Sequence, residues 1–223
     1  MELNPVDDVH YSIINLNSGK VLDVPFGTTA NDTPIQQWDY IARDEQQLWV
    51  FVPVDSYNIT NNLSGNVLDV VNASTSPTAQ IDQSNPTGLL DQQWQLIPVG
   101  SGYYAILNRN SGQVLDDTGG STADGNLLQQ YDYVAADENQ QWQLIPLDSA
   151  NYQILNRNSG KVLDDTGGSM NGGTLIQQWA YQDGVNQQWQ LTPVTYYSIV
   201  NRQSGLALDV PFGSTDDGIT IQQ

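Results

Sequence analysis

Five aspartates stand at one point in the rhythm of this chain: Asp23, Asp69, Asp116, Asp164 and Asp209 each follow a leucine, shortly after a Ser-Gly pair. Behind three of them the same residue types recur. Asp23 is followed by Gln36, Trp38, Gln46 and Gln47; Asp116 by Gln129, Tyr131, Asn139 and Gln140; Asp164 by Gln177, Trp179, Asn186 and Gln187. An ionised carboxylate only accepts hydrogen bonds, a primary amide both donates and accepts, and an aromatic ring offers an apolar face. That combination suits a ligand with adjacent hydroxyls at fixed geometry and an apolar C–H face, which is the chemistry of a sugar ring. One aspartate alone would be read as bonding to turn backbone. Its recurrence with the same amides favours a site.

The other two positions are incomplete. Behind Asp69, Ser84 stands where an aromatic is wanted and Asp91 replaces the amide, so this copy is expected to be structural with a silent pocket. Behind Asp209, Gln222 is present but the chain reaches only "TIQQ". Other chemistries are less well served. "LDDTGG" suggests calcium, but two acids per loop fall short of the usual ligand number, so no metal and no cofactor is expected. Glycoside hydrolysis needs two carboxylates facing one bond, and no copy has a distinct second acid set among apolar residues. A serine–histidine pair would have to use His10, a surface residue on what reads as a loose amino terminus, and one histidine cannot make a histidine metal cluster. Catalysis is not expected.

These residues must be held by repeated elements. "YSIINLNSGKVLDV", "YNITNNLSGNVLDV", "YAILNRNSGQVLDD", "YQILNRNSGKVLDD" and "YSIVNRQSGLALDV" align with a period of 45 to 48 residues. The first four copies close on Trp49, Trp94, Trp142 and Trp189, in apolar segments that place these rings in the core rather than against ligand. Each copy has four short apolar segments between turn signals, which reads as four strands. The acids agree with this, since only Glu2, Glu45 and Glu138 are glutamates among 25 acidic residues, and aspartate favours turns over helices. Periods of this size mean one supersecondary unit copied in series. A propeller would need four or more complete blades, and the four and a half copies lack its common Gly-His and Trp-Asp signatures. The expected fold is therefore all-β, a β-trefoil of four-stranded repeats of about 47 residues.

The "SG-x-VLD" turn, the "IQQW" that follows and the closing "NQQW" resemble the Q-x-W repeat of ricin B-chain-type β-trefoil lectins and carbohydrate-binding modules, from about Tyr11 to Gln223. The resemblance implies roles. The aspartate binds two adjacent hydroxyls, the aromatic stacks, the Asn or Gln after the loop binds a hydroxyl, and the next Gln holds the aspartate. Gln46 stands where this pattern wants Asn, which implies a weaker or displaced contact. The aspartates are read as surface-facing. The implied function is multivalent binding of galactose-like sugars on glycans or glycoconjugates. The alternatives are a targeting module of a larger glycosidase or toxin, and a structural repeat protein without a sugar site, favoured if the stacking aromatics are buried. The family also implies an extracellular setting, although "MELNPVDDVHYS" has no signal-peptide pattern.

Charge and hydropathy narrow the partners. A net charge of −19 repels nucleic acid and anionic membrane surfaces, and no stretch reaches the eighteen apolar residues of a membrane span. The absence of cysteine leaves no disulfide to staple a lobe. Three lobes close a trefoil, so residues 1–149 are expected to form one domain (lobes 11–55, 56–101 and 102–149) and 150–223 an incomplete second one (lobe 151–195 and half lobe 196–223). Closure over 56–195 is the alternative. Either way an incomplete lobe exposes sheet edges, which predicts a homo-oligomer, strand exchange or a truncated chain.

Overall fold

The computed structural model describes residues 1–214 and 216–223, and among these there is no α-helix. The strands are β1 (Glu2–Pro5), β2 (His10–Ile14), β3 (Val21–Asp23), β4 (Gln36–Trp38), β5 (Trp49–Asn61), β6 (Val67–Val70), β7 (Ile81–Ser84) and β8 (Trp94–Gly100). They continue with β9 (Tyr103–Asn108), β10 (Val114–Asp117), β11 (Asn126–Tyr131), β12 (Trp142–Pro146), β13 (Asn151–Asn156), β14 (Val162–Asp165), β15 (Thr174–Trp179) and β16 (Trp189–Asn201). Short 3₁₀ turns join them. The fold is a β-trefoil built from the repeats seen in the sequence.

Local chemistry sets each hairpin. Asn108 Oδ1 accepts from the backbone N–H groups of Asn110 and Ser111 (3.0 and 3.3 Å), and Gly112 then turns the chain at φ 72°, a left-handed conformation that costs glycine little. The serine of this turn fixes the next hairpin. Ser18, Ser64, Ser111, Ser159 and Ser204 donate to the side-chain carbonyls of Gln37, Gln83, Gln130, Gln178 and Gln223 at 2.6–2.7 Å. This is why "SG" and "IQQ" recur together.

The chain forms two compact units, residues 55–194 and residues 1–54 with 195–223. The strand pairing accounts for the first of these units. Within 55–194, β8 pairs with β5 and β9, β12 with β9 and β13, and β16 with β13 and β5, so six strands close a ring. Ser56 Oγ donates to the Val194 carbonyl (2.9 Å) where that ring shuts. The hairpins β6–β7, β10–β11 and β14–β15 meet one another at Thr174↔Gln83, Asn126↔Gln178 and the bridge Gln80↔Gln129. Their buried glutamines tie each copy to the next: Gln83 donates to the carbonyls of Ser169 and Asn171, Gln178 to those of Ser121 and Ala123, and Gln130 to those of Ser74 and Ser76. The circuit is complete after three copies.

Trp94, Trp142 and Trp189 are fully buried in the core of this unit, and their indole N–H groups donate to Leu68, Leu115 and Leu163 carbonyls at 3.0 Å. Burying both the ring and its one donor satisfies a large apolar side chain completely. Trp49 repeats this in the smaller unit, donating to the Leu22 carbonyl (3.1 Å) in a cluster with Ile13 and Val24.

The smaller unit holds one strand that the repeat alignment did not show. β1 lies against β2 with Pro5 opposite Tyr11, as Pro98 of β8 lies opposite Tyr104 and Pro146 of β12 opposite Tyr152. "MELNPV" thus occupies the place of "WQLIPV", without its tryptophan. His10, expected on a loose terminus, instead begins β2, with its ring Nδ1 2.8 Å from Asp7 Oδ1.

Candidate functional site

In the third copy the residues singled out from the sequence converge. β10 and β11 place Asp116 opposite Gln129. Gln129 Nε2 donates to Asp116 Oδ1 (2.8 Å), while Asn139 Nδ2 and Gln140 Nε2 both donate to Oδ2 (2.8 and 3.1 Å). Gln140 is itself fixed, since its Oε1 accepts from the Val134 N–H (2.8 Å) and its Nε2 also reaches the Asp132 carbonyl (2.9 Å). These groups and Tyr131, 39% exposed, line a cavity of about 430 Å³ with Gly119, Gly120 and Asp137.

The fourth copy repeats the arrangement. Gln177 Nε2 donates to Asp164 Oδ1 (2.7 Å) and Asn186 Nδ2 to Oδ2 (2.9 Å). Gln187 accepts from the Gln182 N–H (2.7 Å) and donates to the Ala180 carbonyl (3.1 Å). Trp179 is half-buried because Gly125 lies against its ring; a Cβ on that glycine would sit 3.3 Å from the indole Cζ3. The cavity here is about 490 Å³.

Both aspartates are buried, at 3% and 4% exposure, which corrects the surface-facing placement expected from the sequence. The reason is the ring of amides, which supplies donors that allow a carboxylate to leave water. Burial raises the pKa of Asp116 and Asp164 and the amides pull it back down. Each carboxylate keeps acceptor capacity for a ligand hydroxyl.

The first copy keeps only part of this set. Gln36 donates to Asp23 Oδ1 (2.6 Å) and Gln47 to Oδ2 (3.1 Å). Gln46 lines the cavity of about 220 Å³ with Asp23, Gln36, Trp38 and Phe26, while its backbone carbonyl accepts from the Val24 N–H and from Asn201. Trp38 is 51% exposed. Phe26, which the sequence reading passed over, was signalled by "LDVPFG" standing where the third and fourth copies have "LDDTGG". It is held at φ 57°, a left-handed conformation costing a non-glycine residue about 1–2 kcal/mol.

In the second copy Asp82 faces Asp69 where Gln129 faces Asp116. Asp69 Oδ1 and Asp82 Oδ1 are consequently buried without a donor. Burial, with Asp91 acting in the same direction, pushes Asp69 up to about 7 and Asp82 to about 6. In the fifth copy Gln222 donates to Asp209 Oδ2 (3.1 Å). The second acid of each "LDD" is also buried: burial lifts Asp165 to about 7 against the opposing pull of the Ser169 backbone N–H, while Asp117, bonded by Asn126, is lifted to about 6.

A family model described as ricin-type beta-trefoil lectin domain-like matches residues 45–131 and 138–223. The chain belongs to this family. Ricin-type trefoils are also found among its structural neighbours. The designed three-fold symmetric protein ThreeFoil is 41% identical over 62% of this chain and 99% of its own, with a TM-score of 0.61. The exo-β-1,3-galactanase 1,3Gal43A from Clostridium thermocellum is 32% identical over 83% of this chain, which spans 42% of that enzyme, with a TM-score of 0.61. The C-half of an earthworm R-type lectin, solved in complex with GalNAc, shares the fold at 16% identity, covering 63% of this chain and 100% of its own (TM-score 0.52). No curated protein sequence matches this ricin-type chain.

Proposed function

We propose that this chain is a multivalent lectin, binding a neutral galactose-like sugar through its first, third and fourth copies. The observation that carries this reading is the pre-ordered carboxylate of Asp116 and Asp164, each held by amides beside an aromatic ring that remains open to solvent. A sugar seated there donates hydroxyls to the aspartate, exchanges hydrogen bonds with Asn139 or Asn186, and lays its C–H face on Tyr131 or Trp179. Galactose is favoured because the 32% identical neighbour is a galactanase. The same likeness favours a second reading, a targeting module that carries an enzyme to a glycan. Residues 55–194 are proposed as the closed trefoil domain.

Several weak sites on one chain gain avidity on a dense glycan without any new contact. A glycan array on the purified chain, followed by calorimetric titration with galactose, tests the reading. Retention on galactose-terminated surfaces with weak monovalent binding is expected, and it should be lost when Asp23, Asp116 and Asp164 are all replaced by asparagine. Absence of binding to every immobilised glycan overturns the proposal.

A further inference from the structure

The first copy differs from the third and fourth by a side chain that its own fold does not use. Phe26 is 99% exposed and lines the same cavity as Asp23, Gln36, Trp38 and Gln46. At the matching turn positions the third and fourth copies have Gly119 (φ 67°) and Gly167 (φ 70°), and the second has Asn72 (φ 58°). Glycine and asparagine enter this left-handed region readily, whereas phenylalanine does so at a cost. Packing does not recover that cost, because none of the described residues covers the ring. A strained backbone carrying a solvated aromatic at the rim of a cavity is a functional signature rather than a folding one. The fifth copy has the same device: Phe212, in a second "PFG" turn, lies at φ 57° and is fully exposed.

The placement says what such a ring would touch. Trp38 is paired with Val21, two residues before Asp23, while Phe26 comes three residues after it. Because Phe26 and Trp38 line one cavity with Asp23, a sugar whose hydroxyls reach Asp23 there lies within reach of both rings. The cavity agrees with this, at about 220 Å³ against about 430 and 490 Å³ where glycine stands.

We infer that Phe26 is a specificity-determining residue of the first copy, selecting a glycoside that carries a second apolar face next to the ring held by Asp23. This rests on the lectin reading above. The second face is either the C–H face of a neighbouring sugar or an aryl aglycone, and both offer the same chemistry to an aromatic wall.

The experiment uses the full chain with Asp116→Asn and Asp164→Asn, which leaves the first copy as the intact set. Methyl β-galactoside, phenyl β-galactoside and a β-linked galactobiose are titrated by calorimetry. Phenyl galactoside, galactobiose or both should bind about three- to tenfold more tightly than methyl galactoside, and which of them does so identifies the source of the second face. Phe26→Gly should erase the preference without lowering the melting temperature, because glycine occupies the same turn in the third and fourth copies. Phe26→Tyr, which keeps a ring, should preserve it. A preference that survives Phe26→Gly overturns the inference, as does a silenced chain that binds none of the three while the unmodified chain binds. If the unmodified chain binds no sugar, the lectin reading falls with it.

Discussion

Residues 55–194 and residues 1–54 with 195–223 use the same local parts and reach different ends. In the larger unit, Gln83, Gln130 and Gln178 are buried, and each donates to two carbonyls of another copy until the circuit returns to its start. In the smaller unit Gln223 makes the corresponding bonds to Thr28 and Ala30, but Gln37 is exposed and, among the described residues, its amide N–H reaches no carbonyl of another copy. The hairpin is thus a property of one copy, and the burial of its glutamine, seen for Gln223 but not Gln37, a property of the copy beside it. A lobe can have the right sequence and still lack the neighbour that removes its polar groups from water.

The largest expected effect tests the core of the closed unit. Trp189→Ala removes a fully buried ring and its hydrogen bond, and should destabilise residues 55–194 by about 3–5 kcal/mol in denaturant unfolding. Trp49→Ala, in the smaller cluster, should fall at the low end of that range.

The circuit itself is tested next. Gln178→Ala deletes the bond from Ser159 and two bonds to carbonyls of another copy, and removes a buried side chain, and should cost about 2–3 kcal/mol. Gln37→Ala should cost less than about 1 kcal/mol. Equal losses at the two positions would erase the contrast between closed and open units.

A pH series sharpens the comparison further. Asp165 is lifted to about 7 when folded and returns to an ordinary carboxylate when unfolded. The folded state therefore keeps a proton that the unfolded state has released, and this stabilisation, complete below about pH 4, is lost as pH rises through about 7. Asp69, Asp82 and Asp117 act in the same direction. Asp7, in the smaller unit, is held down at about 2 by the Val9 N–H and the His10 ring, so its contribution is lost only as pH falls through about 2. Hydrogen exchange of β10 and β14 amides should slow between pH 8 and pH 5 once corrected for intrinsic rates. Asp165→Asn should remove about 1–3 kcal/mol of that dependence.

The smallest effect compares the two best-matched sites. Trp179→Tyr gives the fourth copy the third copy's platform and should weaken its binding of a monovalent sugar by about 0.5 kcal/mol. A loss large enough to abolish binding would show that Trp179 positions Asp164 rather than touching the sugar.

Much of this was legible in the chain. Repeat length, the four strands per copy, the burial of four tryptophans and the convergence of Asp116 with Gln129, Asn139 and Gln140 all follow from recurrence at fixed spacing. The burial of the aspartates was not, because it depends on how many amides aim at one carboxylate. Nor was the role of Phe26, since only the backbone angle shows that a glycine position holds a phenylalanine. The β1 strand escaped because "MELNPV" lacks the tryptophan that marks its counterparts.

In residues 55–194 the asparagine that opens each Ser-Gly turn has a second use. Asn61 donates to the Asn186 carbonyl, Asn108 to that of Asp91 and Asn156 to that of Asn139, so each of these three loops of residues 55–194 is anchored by a different copy. The second copy lacks the sugar set, yet its Asn61 holds the loop that presents Asn186. A copy without the full residue set is therefore still needed by its neighbour. The Asp91 side chain can change without removing an anchor, because Asn108 bonds its backbone carbonyl, while Asn61 stays under whatever selection acts on the fourth copy. In such an array binding specificity can drift one pocket at a time, but copy number can change only by replacing the anchors of a neighbour.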